Sequence, residues 1–274
     1  MRVMSLTGNK YAMINNNMNL KKLLVNSTIS TQFFIIIALI GSVLGFYYYG
    51  INGQSLGLSL FGYFLYGCLG IAVTFHRQLT HNSYKTYGII SKIGTFFGCM
   101  ANTGSSISWT AIHVNHHLKS DKLGDPHSPW ISGWKVFLLD YPSDTKVIWR
   151  IRKLVYDPYH QVLHNYYNLI LISYSLLLYL LGGFYLMVFL HWVPIVIVAV
   201  MSNMVNYAGH KESWWGSYRT YNLNDHSCNN WVWAIPSWGE GWHNNHHRYP
   251  KSYTTTQKWW ELDISGMIIK FIKA

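Results

Sequence analysis

Nine histidines in this chain fall at spacings that can do chemistry. His243, His246 and His247 stand at i, i+3 and i+4 within Gly239-Glu240-Gly241-Trp242-His243-Asn244-Asn245-His246-His247, so on a helix they present three imidazoles from one face. His113, His116 and His117 repeat that spacing, and His76 and His81 make a further pair. A regular helix sets residues five apart roughly 140° from each other, so His76 and His81 can reach one site only if the helix breaks between them. His210 is the ninth, with Asn206 one turn earlier on the same face. Imidazole suits iron, zinc, copper and nickel. Nine rings exceed the roughly four to six ligands of one ion and suit two.

The elements that must position these rings are apolar. Half of the 274 residues are hydrophobic and 11% are charged, against about 25% charged in an ordinary soluble domain, which points to a membrane. Residues 1–30, polar and Asn-rich with Arg2, Lys10, Lys21 and Lys22, read as a cytoplasmic tail. Apolar blocks predict spans at about 31–50, 56–75, 166–186 and 190–209. The last two share a stretch with no charged residue that must turn near Gly182-Gly183 or near His191-Trp192-Pro194. Tyr87–Met100, interrupted by Lys92 and glycines, predicts an interfacial helix. The fold class expected is an all-α integral membrane protein. Four transmembrane helices would carry a cytosolic helical cap, residues 76–165 and 210–274, with a histidine-rich two-metal site, all in one domain over 31–274.

Charge placement supports this layout. Of the 21 Lys and Arg, 4 lie in residues 1–30, 10 in 76–165 and 7 in 210–274, with none in the two short turns. The positive-inside rule then puts both termini and every histidine group on the cytoplasmic side. A net charge of +11 sorted by membrane side, with no basic stripe, excludes a nucleic-acid binder and suits anionic membrane lipid and an acidic partner. Cys68, Cys99 and Cys228 are widely spaced, odd in number and form no CxxC pair, so neither a disulfide framework nor a zinc ribbon is supported.

The order His76-Arg-Gln-Leu-Thr-His81, His113-Val-Asn-His116-His117 and Gly239 to His247 resembles the three boxes of membrane fatty-acyl desaturases of the delta-9 type. Asp125-Pro126-His127-Ser128-Pro129, Asn206-Tyr-Ala-Gly-His210 and Tyr218-Arg-Thr-Tyr221 agree, over about residues 30–250. The resemblance implies a non-haem di-iron site that uses dioxygen and two electrons to take two hydrogens from a saturated acyl chain. All nine histidines would be ligands, with Asn206 reaching one iron through water. Asp121, Asp125 and Glu240 are the nearest carboxylates to orient the rings, with helix capping or a salt bridge as their alternative role; His127 joins them. His160, His164, His191 and His226 lack box spacing and read as polar or interfacial side chains.

In the delta-9 enzymes a Trp and a Thr pair to hold the kink of the acyl chain. Trp109 and Ser202 occupy the matching positions, so Trp109 is expected to donate its indole N–H to Ser202 or a nearby acceptor; an interfacial anchor is its alternative role. No haem region is evident, so electrons would come from an external donor such as ferredoxin or cytochrome b5. Thr110-Ala111-Ile112 lack the Arg-Asp pair of the animal acyl-CoA enzymes, which leaves an acyl-lipid substrate beside an acyl-thioester one. Val114 replaces the Arg common inside that box. A di-iron hydroxylase or alkane monooxygenase would use similar boxes. A membrane metal or haem carrier would need polar ligands at mid-membrane, and none occurs.

Overall fold

The bundle is laid out from a capped turn at Asn52. A computed structural model describes residues 28–138 and 145–274, so the expected tail over residues 1–30 lies almost wholly outside the described residues. Helix α1 (Thr28–Tyr49) ends before Gly50, and Asn52 starts the next helix. Its side-chain oxygen accepts from the backbone N–H of Gln54 and Ser55, while Ser55 Oγ accepts from Asn52 N. This reciprocal cap satisfies donors that a helix start leaves orphaned. Helix α2 (Gly53–Thr80) is α-helical to Tyr63 and π-helical over Phe64–Thr80. It runs past the expected end at residue 75.

Helix α3 (Gly88–Met100) returns alongside α2, Gly70 lying against Gly98 and Thr74 against Gly94. Its 13 residues reach only about 20 Å, short of the roughly 30 Å hydrocarbon core. Helices α4 (Ser106–Lys119) and α5 (Pro158–Asn165) follow. Ser105 caps α4, and Asp157 caps α5 with Pro158 in its first turn, a position where proline costs nothing. The two helices are tied by His164 Nδ1 to Ser105 Oγ at 2.6 Å and His160 Nδ1 to Ser106 Oγ at 2.7 Å.

Three helical stretches are long and apolar enough to cross a membrane: Ser30–Tyr49, Gly53–Thr80 and Tyr167–Ala208. The third contains α6 (Tyr167–Met187), a π-helical turn Val188–Trp192 and α7 (Val193–Ala208). It is not straight. Gly182 and Gly183 leave the helical conformation, Gly183 with φ 67°, a value that favours glycine. The Tyr174 ring lies 4.9 Å from His191, and Trp192 Nε1 donates to Ser175 Oγ at 3.3 Å. In one straight helix residues 17 apart would be separated by about 25 Å. The chain therefore doubles back at the glycines, the first of the two turning points expected.

Both turns sit at one end of the bundle, where Tyr185 meets Tyr49 at 5.1 Å and its hydroxyl reaches Asn52 Oδ1. At the other end Ser30 Oγ bonds Asn168 Oδ1 and Asn102 Nδ2 bonds the Thr31 carbonyl. The C-terminal ends of α2 and α7 thus point the same way, and His76 and His210 ride on them. Tyr66, Phe75, Leu171 and Val198 fill the space between the legs. Outward positions such as Ile36, Ile40, Leu60, Leu176 and Leu180 are exposed apolar side chains, as contact with lipid requires.

Beyond α7 the chain is mostly loop, with helices α8 (His243–Arg248) and α9 (Ile264–Ile272). One departure from all-α is a two-residue antiparallel ladder, β1 (Ser217–Tyr218) with β2 (Asn229–Asn230). His191, expected at a polar boundary, is instead fully buried against Tyr66, Tyr174 and Phe34.

Candidate metal centre

No break separates His76 from His81. The π-helical end of α2 closes its turns on i→i+5 bonds, and His81 N donates to the His76 carbonyl at 3.2 Å. Thr74 and Thr80 hydroxyls bond the carbonyls of Leu69 and Phe75, also five residues back. The wider turn brings residues five apart onto one face, with the two imidazoles 4.9 Å apart. The expectation of a break rested on α-helical winding, and the winding is different.

Helix α4 presents His113, His116 and His117, and α8 presents His243, His246 and His247. The start of α8 is fixed by its flanks. Gly239 has φ 105°, and a Cβ there would lie 2.3 Å from Asp263 Oδ1. Asn244 Oδ1 accepts from Thr220 N and Tyr221 N, and Asn245 Nδ2 donates to Glu261 Oε2 at 2.8 Å. Two asparagines inside the box therefore lock the short helix so that its histidines face inward.

The nine rings meet in two groups. His76, His81, His113, His117 and His246 form one, and His116, His210, His243 and His247 the other, with the candidate ligand atoms of each group within 4.8 Å of one another. In the first group Nε2 separations are 3.0 Å for His76–His246 and His246–His117, and 3.1 Å for His81–His113 and His113–His117. In the second they are 3.1 Å for His210–His243 and His243–His247, and 3.3 Å for His116–His247. Two nitrogens each about 2.1 Å from one ion and at right angles lie about 3.0 Å apart, against about 3.4 Å on a tetrahedron. The five-ring group has the right-angle spacing and one ligand more than a tetrahedral zinc site takes.

The outer nitrogens of four rings lie against carboxylates. His116 Nδ1 bonds Asp125 at 2.9 Å, His210 Nδ1 bonds Asp121 at 2.7 Å and His247 Nδ1 bonds Asp225 at 2.9 Å, while His76 Nδ1 pairs with Glu240. A neutral imidazole whose Nδ1–H is donated outward carries a lone pair on Nε2. With both rings in that neutral form, the Nε2 atoms of His116 and His247, 3.3 Å apart, would face each other with two lone pairs. A shared cation relieves that contact, so the residues present fit metal ions.

Electrostatics keep six of the rings neutral. Burial, and then the neighbouring imidazoles, hold His81, His113, His116, His117, His243 and His246 well below the ordinary histidine range. Burial works against ionisation of Asp121, yet its hydrogen bonds from His210, Ser128 and the His226 backbone hold it down to about 2. Burial pushes Asp125 up to about 6, against the pull of the backbone N–H groups of Asp121 and His127. Asp125 thus both caps its loop and orients His116. His127 stacks on His116 at 4.2 Å, and burial takes it down to about 3.

Several positioning residues carry no spacing signal. Asp225 lies in a loop beside His226, and its carboxylate holds His247 Nδ1. Arg77 anchors Glu240 at 2.7 Å and Asp263 at 2.8 Å, with its guanidinium buried. Asp225→Asn should lower metal affinity or activity by about 10–100-fold with the fold intact. Metal titration of the purified variant checks this, and unchanged affinity and activity would remove Asp225 from the site.

Trp109 stacks on His113 at 5.0 Å and 24°, and lies 6.1 Å from the His76 ring. It forms a wall of the five-ring group. Among the described residues no hydrogen bond joins Trp109 to Ser202. Ser202 and Asn206 are half-buried on α7, Asn206 one turn before Gly209-His210.

Residues 54–264 match the fatty acid desaturase family. The chain is 35% identical over 251 residues to an sn-1 stearoyl-lipid 9-desaturase of Anabaena variabilis, covering 89% of this chain and 90% of that one. It is 31% identical to an sn-2 palmitoyl-lipid 9-desaturase of Nostoc sp., covering 80% and 79%. It is also 33% identical to a chloroplastic palmitoyl-monogalactosyldiacylglycerol delta-7 desaturase of Arabidopsis thaliana, covering 81% and 61%. A family match over more than half the chain, with histidine groups able to hold metal, leads to one conclusion: the chain belongs to the fatty acid desaturase family and is an enzyme that desaturates fatty acyl chains.

Proposed function

We propose that this enzyme is an acyl-lipid desaturase that places its double bond at the delta-9 position, using two non-haem irons, dioxygen and an external electron donor. The observation that carries the proposal is the division of nine inward-facing imidazoles into groups of five and four. The five rings would hold one iron and the four the other, with Asn206 reaching the second through water. When bound, the irons supply the oxidising power, drawn from dioxygen and two electrons, that an unactivated methylene pair demands. The protein supplies position and dryness. Asp121, Asp125, Asp225 and Glu240 fix ring orientation, and burial of six of the nine rings limits access of bulk water.

Two helical hairpins with both turns at one end support four crossings, and the sorting of basic residues supports a cytoplasmic histidine end. A net basic excess of +11 suits an acidic donor such as ferredoxin or cytochrome b5. Relatives named for lipid 9-desaturation favour delta-9 and an acyl-lipid. Lipid analysis of a host expressing the gene tests this, with delta-9 monounsaturated chains on membrane lipid expected. Hydroxylated chains or a double bond elsewhere would overturn it.

Position along a flexible chain needs a rigid wall beside the metals, and Trp109 is the aromatic packed on both His113 and His76. Trp109→Ala should scatter the double-bond position or lower activity sharply while metal is retained. A single product at the wild-type position and rate would exclude that role.

A further inference from the structure

Helix α9 has two faces, and only one is covered by protein. Its inner face, Ser265, Gly266 and Ile269, is buried. Ser265 Oγ lies 3.6 Å from Cys68 Sγ, and Ile269 joins the cluster of Cys68, Val73 and Tyr84. Its outer face carries Met267 at 54% exposure and Phe271 at 83%, and the turn leading into it carries Trp259 at 96%. No protein element covers these side chains among the described residues.

Position along α2 decides what does. Cys68 lies 15 residues beyond Gly53 in the span Gly53–Thr80, about 22 Å along the helix and so inside a hydrocarbon core of about 30 Å measured from that end. The far end of α9 is tied beyond the end of α2, with Ala274 N donating to the Lys85 carbonyl and Thr86 Oγ1 to the Ile272 carbonyl. The helix thus enters the last ~8 Å of the core and emerges at its surface, matching the roughly 5–10 Å depth of an interfacial helix. Charge agrees. Both carboxylates of residues 248–274, Glu261 and Asp263, are buried, while Lys270 is exposed between Met267 and Phe271, as a side chain that reaches lipid phosphate would be.

We infer that α9, with the Trp259 turn, is a membrane-interface anchor: its Met267–Phe271 face lies in the lipid headgroup and acyl boundary of the leaflet at the histidine end. It holds that end against the bilayer without spanning it.

Nitroxide labelling of the full chain in lipid nanodiscs tests this. Cys68, Cys99 and Cys228 are buried, so labels go to introduced cysteines. Met267→Cys and Phe271→Cys labels should be relaxed several-fold more by oxygen than by a water-soluble nickel complex. Leu60→Cys, on the outward face of α2, and Glu212→Cys, on an exposed loop, mark the lipid and water limits. If position 60 reports lipid while 267 and 271 favour nickel, the face is in water and the inference fails. If 267 and 271 are immobilised and reached by neither reagent, a protein or a second copy covers the face, and it fails equally.

Discussion

His246→Ala should abolish turnover and strip metal from the five-ring group while membrane insertion is unchanged. The His246 Nε2 lies 3.0 Å from both His76 and His117, so it joins the ring carried by α2 to those carried by α4. Without it the rings of α2 and α4 lose the donor that lies between them. His191→Phe is the matched comparison. His191 is as buried as His246, but among the described residues neither of its ring nitrogens has a hydrogen-bond partner and its neighbours are aromatic. A buried unsatisfied imidazole costs stability, so an aromatic of similar size there should leave activity and metal content unchanged. Turnover by His246→Ala at wild-type rate would remove His246 from the centre.

Arg77→Met should destabilise the fold by about 3–5 kcal/mol, the usual effect of breaking a buried ion pair by removing one partner. Arg77 sits one residue after His76 and is 1% exposed, with Glu240 and Asp263 both on its guanidinium and the Tyr253 carbonyl on Nη1. Its loss leaves two carboxylates without a countercharge. Because Glu240 also pairs with His76, metal should bind more weakly in whatever folds. Thermal unfolding of purified protein in detergent measures the first effect. A loss below about 1 kcal/mol, the range of a surface pair, would show that the triad does not hold the box.

Much of the site was legible because histidine spacing is a local property. His113, His116 and His117, like His243, His246 and His247, needed only a helix to face one way, and the structure supplies one for each. The break expected between His76 and His81 does not occur, because π-helical winding, which leaves no mark in the spacing of apolar residues, brings them together without one. Asp121, Asp125 and Glu240 were found by proximity in sequence to the boxes. Asp225 was not, because a loop returns it over 22 residues to His247, and loop paths are not written in periodicity. Arg77 lay in plain view between box residues, but its role depends on Asp263, which reaches it across 186 residues. The doubling back at Gly182-Gly183 was readable from glycine, whereas the outward apolar face of α9 was hidden in a segment too short and too basic to suggest membrane contact.

Metal analysis of purified, active protein bears most directly on the two histidine groups. Two irons per chain with little zinc is the result expected, since five rings at right-angle spacing exceed what tetrahedral zinc takes and a second group of four stands beside them. One zinc per chain in active protein would contradict it.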